Sequence, residues 1–176
     1  MMTNNDPRPQ QRTFVLIGNG ATLTLDIIAA TPGSTKRTLY FGGTARIETG
    51  LTMGPVVFES TISGIVGDLL RLSDWIHAHV TALVAHHATR TGLLVPAPYP
   101  QHTWVPLELG IQIECLGGDV WQEADALVGD FTMRIMVLAG RGGGNSPIYA
   151  GIEIIVDARR AVEFATSLRD FISDIT

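Results

Sequence analysis

Four of the five histidines lie close together in the chain, at His77, His79, His86 and His87. Two histidines three or four residues apart on a helix can bind one zinc ion, because both side chains then point the same way. No pair among these four histidines has either spacing. We therefore predict no metal site, and the sequence indicates no other cofactor.

Cys115 is the only cysteine and a candidate nucleophile, since a thiolate reacts when a positive group lowers its pKa. Its sequence neighbour Glu114 is an acid, which does not activate a thiol. Cys115 also alternates with Ile111 and Ile113 in a strand-like pattern, so we expect a buried structural thiol. A single cysteine forms no internal disulfide, which fits a reducing compartment.

The segment 140–146 reads Gly-Arg-Gly-Gly-Gly-Asn-Ser and resembles a phosphate-binding loop. A P-loop needs Gly-Lys-Ser/Thr at the start of a helix, whereas an apolar strand pattern follows this segment. The composition favours a flexible hairpin connection, with capture of an anion by Arg141 as the alternative.

Acidic side chains could act in pairs as general acid and base. The acids expected on the polar faces of strands are Asp26, Glu48, Glu59, Glu114 and Glu153. Arg46 and Arg134 fall on the same faces, so cross-strand ion pairing is the simpler explanation. No two acids stand out by spacing, and we predict no catalytic residues and no enzyme.

The distribution of charge is uneven between Thr91 and Met133, where no Lys or Arg occurs. The acids in this stretch are Glu108, Glu114, Asp119, Glu123, Asp125 and Asp130. Trp121 lies among them, and a tryptophan beside acids is typical of a binding hot spot for a basic partner. We predict that Asp119, Trp121, Glu123, Asp125 and Asp130 bind a partner; the alternative is a solvated loop whose tryptophan folds back onto the core.

The composition limits the class of protein. The chain has 176 residues, is 45% hydrophobic and 16% charged, and carries a formal net charge of −5. This length and apolar content indicate one folded domain and exclude a disordered chain. The acidic balance argues against nucleic acid binding. Because no apolar run is long enough for a membrane span, and Phe14–Ile17 is too short for a signal peptide core, we expect a soluble cytoplasmic protein.

Two hydrophobic periods alternate along the chain. Asn19-Gly20 between Phe14–Ile17 and Ala21–Ile28 predicts a β-hairpin. Strand patterns follow at 37–49 and 56–63, with a turn at Gly50–Pro55, and then a helix starts near Asp68 and ends by Gly92. The second half repeats the order. Its strand patterns occupy 107–115, 131–137 and 148–156, and Asp157 is placed to cap a closing helix.

These elements predict an α+β fold of duplicated β-β-β-α units, forming a mostly antiparallel sheet with two helices on one face. The matched positions include Trp75 and Phe164. We expect each helix to cover the strands of its own half. The predicted organisation is a disordered tail at 1–12 and one domain at 13–176, made of repeat one (13–91), a Pro-rich connector (92–106) and repeat two (107–176).

The duplicated layout, ending in the strand-to-helix step Ile-Glu-Ile-Ile-Val-Asp at 152–157, resembles small bacterial immunity proteins of the WapI type and related uncharacterised actinobacterial proteins. The likeness lies in Ala21–Ile28, Thr44–Trp75 and Phe131–Phe171. It implies a protein that inhibits a toxin by binding it, with no catalytic residues to transfer.

The leading hypothesis is therefore a non-enzymatic immunity protein, monomeric or homodimeric, that neutralises a cognate toxin. A second hypothesis is a small-ligand protein or enzyme with a pocket between sheet and helices, where groups such as His79, Glu59 or Arg134 would converge. A third is a structural homo-oligomer that pairs through a sheet edge or the apolar strip near Trp104.

Overall fold

The computed structural model describes residues 11–32, 43–89, 103–104, 111–141 and 147–174. Most of the predicted tail (1–12) and of the Pro-rich connector (92–106) lies outside these residues. So do Leu109 and the centre of the glycine-rich turn that the sequence places at 140–147.

In the described ranges, eight strands and two helices follow one another, with four strands before each helix. The first half contains β1 (Arg12–Gly18), β2 (Ala21–Pro32), β3 (Gly43–Met53), β4 (Val56–Ile65) and α1 (Val66–Thr89). The second half contains β5 (Thr103–Trp104), β6 (Ile111–Glu123), β7 (Ala126–Arg141), β8 (Pro147–Asp157) and α2 (Ala158–Asp174). All strand neighbours pair antiparallel, which confirms the α+β class.

The strands form two sheets, where the sequence led us to expect one. The orders are β1-β2-β3-β4 and β5-β6-β7-β8. The sheets meet at the turn after β1, where the Asn19 amide donates a hydrogen bond to the Ile155 carbonyl of β8 at 2.8 Å. The Asn19-Gly20 hairpin is confirmed, with Gly20 at φ 78°. The turn predicted at 50–55 is shorter, because β3 continues to Met53 and only Gly54 and Pro55 form the turn.

One hydrophobic core joins both halves. It contains the inward-facing residues of both sheets and the apolar stripes of both helices. Leu69, Leu72 and Ile76 on α1 are each 1% exposed, as their helical spacing predicts. Asp157 caps α2 as expected, since its Oδ1 accepts a hydrogen bond from the Arg160 amide at 3.0 Å.

The helices do not cover only the strands of their own half, which corrects the expectation from the sequence. Among the strands, α1 packs mainly against β6, and α2 packs against β1 as well as β7. The helices also contact each other: Ser73 Oγ donates to the Ala165 carbonyl at 2.7 Å, and His77 Nε2 lies 3.4 Å from Thr166 Oγ1. His77 and Thr166 are separated by the same interval as Trp75 and Phe164, the positions that the sequence pattern matched between the two predicted repeats.

Among the described residues, neither helix has the length and apolar character needed to span a bilayer.

Candidate functional site: the β6–β7 hairpin end

The acidic segment predicted to bind a partner forms the end of the β6–β7 hairpin, and it is not the irregular connector that its composition indicated. Asp119 lies directly opposite Asp130 in the register, and Glu123 lies opposite Ala126. Ala124 and Asp125 form the two-residue turn, with Ala124 at φ 51°. We call Asp119–Asp130 the acidic hairpin end.

Strand alternation in the acidic hairpin end separates the core from the exposed acids. Val120 is fully buried, so its flanking residues Asp119 and Trp121 lie on the opposite face of β6. The positions of β6 that face the core change from odd-numbered to even-numbered residues at a bulge between Cys115 and Gly117. Without this bulge, the alternation that buries Cys115 would expose Val120 and bury Trp121. The bulge therefore places the tryptophan on the accessible face.

A histidine from the helix of the first half holds this surface in place. His87 Nδ1 donates a hydrogen bond to Asp119 Oδ1 at 2.6 Å. The ring of His87 stacks on Trp121, with the ring centroids 5.2 Å apart and the planes at 25°. Trp121 is half-buried, so part of its side chain remains accessible to solvent.

The remaining acids of this surface have no such partner. Glu123, Asp125 and Asp130 are exposed, and none of them has an ion pair within the part of the chain that the structure describes. Glu114 differs, because Arg134 Nη1 donates to its Oε2 at 3.0 Å. Glu108 lies outside the described residues. The five predicted partner-binding residues therefore share one hairpin end, and Glu114 does not belong to it.

Arg134 connects three strands on the outer face of the second sheet. Its Nη2 donates to Glu153 Oε1 at 2.5 Å, and the register places Glu114, Arg134 and Glu153 directly opposite one another. The hydrogen bond to Glu153 raises the pKa of Arg134 above its ordinary value, and Glu114 adds to the effect. The cross-strand pairing inferred from the sequence is thus confirmed here.

The side chains that the second hypothesis placed in a pocket between sheet and helices, His79, Glu59 and Arg134, lie on different elements. His79 is 1% exposed within α1, where its Nδ1 lies 3.1 Å from the Trp75 carbonyl oxygen. Glu59 lines a cleft of about 270 Å³ on the first sheet with Asp26 and Glu48. Arg134 lies on the second sheet, so the structure does not bring these groups together. In the described ranges, no group of three or more His, Cys, Asp or Glu side chains is arranged to hold a metal ion.

Cys115 is 4% exposed and faces the core with Ile111 and Ile113, as its alternation predicts. Burial raises the pKa of the Cys115 thiol, and a backbone hydrogen bond at Gly117 opposes this effect more weakly. The thiol therefore remains protonated at neutral pH, and both its burial and its raised pKa disfavour a nucleophilic role.

This burial predicts slow thiol chemistry in the folded protein. We expect Ellman's reagent at pH 8 to react with Cys115 far more slowly in the native chain than in denaturant. Because the folded-state pKa is raised, the free energy of unfolding should fall as pH rises above about 9. Cys115→Ala should reduce that alkaline loss relative to the unsubstituted chain. Native and denatured rates that agree would show that the thiol is accessible.

The contact between His87 and the acidic hairpin end was not predicted. The helical stripe places His87 at the edge of α1, but its neighbours on β6 are distant in sequence and belong to the other half. No protein-family model matches this chain, and no curated protein matches it either.

Proposed function

We propose that this protein is a non-enzymatic binding protein whose acidic hairpin end docks on a basic surface of a protein partner. A toxin that it neutralises, as an immunity protein does, is the partner we expect. The observation that supports the proposal best is the fixed position of Trp121. This aromatic side chain stacks on His87, and it lies on the same hairpin end as Glu123, Asp125 and Asp130, for which the described residues provide no ion pair.

Two features of Trp121 support a binding hot spot at this position. A stacked ring loses little conformational freedom when a partner covers it, so less of the binding free energy is spent on ordering. Trp121 is held in this way by a neighbouring ring. Tryptophan is also among the residue types that contribute most to interfaces when they become fully desolvated. The hairpin end therefore presents a preorganised anchor.

The charges add steering and selectivity. Glu123, Asp125 and Asp130 project a negative potential that attracts a basic surface and repels an acidic one. A toxin that cleaves nucleic acid needs a basic cleft to bind its substrate. An acidic hairpin inserted there would block the cleft without any chemistry by the inhibitor.

The test is co-expression with the products of the genes adjacent to this one, each first checked for toxicity when expressed alone. The unsubstituted chain should restore growth and co-purify with the toxic product. The variant Glu123→Lys/Asp125→Lys should lower the affinity by about 100-fold or more, because two attractive contacts become repulsive.

The matched control is Asp170→Lys/Asp174→Lys, which makes the same change in net charge at two exposed positions on α2. This control should keep its affinity and its rescue of growth. Equal losses in both variants would mean that overall charge, and not the hairpin end, determines binding. Absence of both complex and rescue would contradict the proposed function itself.

A further inference from the structure

Strand β1 has one edge that no described strand covers along most of its length. Gly18 and Ala21 flank the two-residue turn and form a hydrogen-bonded pair. Because hydrogen-bonded and non-hydrogen-bonded pairs alternate along an antiparallel ladder, the even-numbered residues of β1 bond to β2. The N–H and C=O groups of Thr13, Val15 and Ile17 therefore point away from β2. In the described residues, the backbone hydrogen bond to β8 comes from the turn at Asn19, and Gly18 at the end of β1 lies against Ile154 and Ile155 of β8.

A cleft of about 420 Å³ lies along this edge, between β1 and α2. The helix contributes Arg160, Glu163, Phe164 and Ser167, whose spacing places them on one stripe of α2. The strand contributes residues 12–15 and 17. Val15 and Ile17 are 46% and 48% exposed, which is high for large aliphatic side chains beside a core. The cleft thus combines unpaired backbone groups with apolar walls.

Two arginine side chains flank the cleft. Arg12 lies at its start, with its guanidinium carbon 5.4 Å from the centre of the Phe14 ring, and it also lines a neighbouring cleft with Asp26 and Glu48. Arg160 also lines the adjoining cleft around Gly18, together with Asp130 and Asp157. Neither guanidinium has an ion pair among the residues that the structure describes, whereas four others do. Those four are Arg71, Arg134, Arg159 and Arg169. The acid in the cleft, Glu163, already lies 4.0 Å from Arg159.

We propose that this cleft binds an extended acidic segment of a partner protein, which adds to the free edge of β1 as a further strand. From Thr13 to Ile17 the edge spans about 14 Å at roughly 3.4 Å per residue, which is enough to pair with five residues of peptide. The backbone groups provide affinity, alternate side chains contact Val15 and Ile17 or Phe164, and acids pair with Arg12 and Arg160.

A second copy of this chain fits the cleft less well. Its own β1 sequence, Arg-Thr-Phe-Val-Leu-Ile-Gly, contains no acid and would bring another Arg12 and Arg160 next to the first pair. The chemistry is also opposite to that of the acidic hairpin end. The cleft is a different surface from the acidic hairpin end, which it adjoins where Arg160 and Asp130 line one cleft. Its test does not depend on the proposed toxin.

The probe is a capped seven-residue peptide in which glutamate and valine alternate, titrated into the full-length chain and followed by amide NMR. We expect shifts at Thr13, Val15 and Ile17, and affinity at least about tenfold higher than for the same peptide with lysine in place of glutamate. Equal affinities, no binding of either peptide, or shifts only elsewhere would overturn the proposal.

Variants locate the interaction. Arg160→Glu should weaken binding of the glutamate peptide about tenfold, whereas Arg46→Glu, an identical charge change at an exposed site on β3, should not. Val15→Pro removes a donor that β2 does not use, and it should abolish the amide shifts. Concentration-dependent dimerisation that Val15→Pro abolishes would instead assign the edge to a second copy.

Discussion

Phe171→Ala is expected to lower the free energy of unfolding by about 3–5 kcal/mol, the usual cost of removing a buried phenylalanine. Phe171 is 2% exposed on α2. Its ring meets Phe14 of β1 edge to face, with the centroids 5.5 Å apart and the planes at 69°. The substitution removes this contact and leaves a cavity where the second half covers the first.

The cost should appear in a single cooperative transition, because the two halves share one core. Urea unfolding followed by circular dichroism and by tryptophan fluorescence should give coincident curves for both proteins, with a lower midpoint for the variant. Phe58→Ala is the matched control, since Phe58 on β4 is only partly buried and should cost about 1–2 kcal/mol. Two separate transitions, with only one of them shifted by Phe171→Ala, would show that the halves unfold independently.

Local patterns in the sequence predicted the elements well. Leu23, Leu25 and Ile27 are all buried, because the side chains of a strand alternate between a core face and an exposed face. Asp157 caps α2 because a short acidic side chain accepts a hydrogen bond from an orphan amide in the first helical turn. Such effects depend on residues close in sequence, so they can be derived without the fold.

The arrangement of the elements could not be derived in the same way. An amphipathic stripe shows that α1 must bury one face, but it does not say which sheet covers that face. The contact of Ser73 with the Ala165 carbonyl joins residues from opposite ends of the chain, and no local signal encodes it. The division into two sheets similarly depends on how the halves dock.

The candidate site shows the same limit. The acids of the hairpin end are together because they are consecutive in sequence, and composition alone was enough to select them. Their fixed geometry depends on His87, which reaches Trp121 only because α1 packs on the sheet of the other half. One available signal was missed: glycines inside strand patterns, such as Gly118 and Gly129, mark places where a backbone approaches closely.

Gly129→Ala is expected to destabilise the protein by about 3–5 kcal/mol and to displace the candidate site. Gly129 has φ 104°, and a Cβ atom there would lie 2.1 Å from the Asp119 carbonyl oxygen and 3.1 Å from Trp121 Cζ3. The first contact involves a backbone atom of the paired strand, so no side-chain rotation can relieve it. The strands must separate, and Trp121 must then move away from His87.

The control Gly54→Ala separates the cost of the positive φ from the cost of the close backbone contact. Gly54 also has a positive φ, 55°, but a Cβ atom there would meet nothing within 4 Å. Its substitution should therefore cost only about 1–2 kcal/mol, from backbone conformation alone. Urea unfolding measures both costs, and the His87 ring resonances report whether the stack is kept. A Gly129→Ala loss no greater than that of Gly54→Ala would contradict the close approach. A larger loss of unfolding free energy for Gly129→Ala, together with a fall in partner affinity, would support the close approach. Glycine is then required at position 129 because the β6 and β7 backbones meet there and leave no space for a side chain.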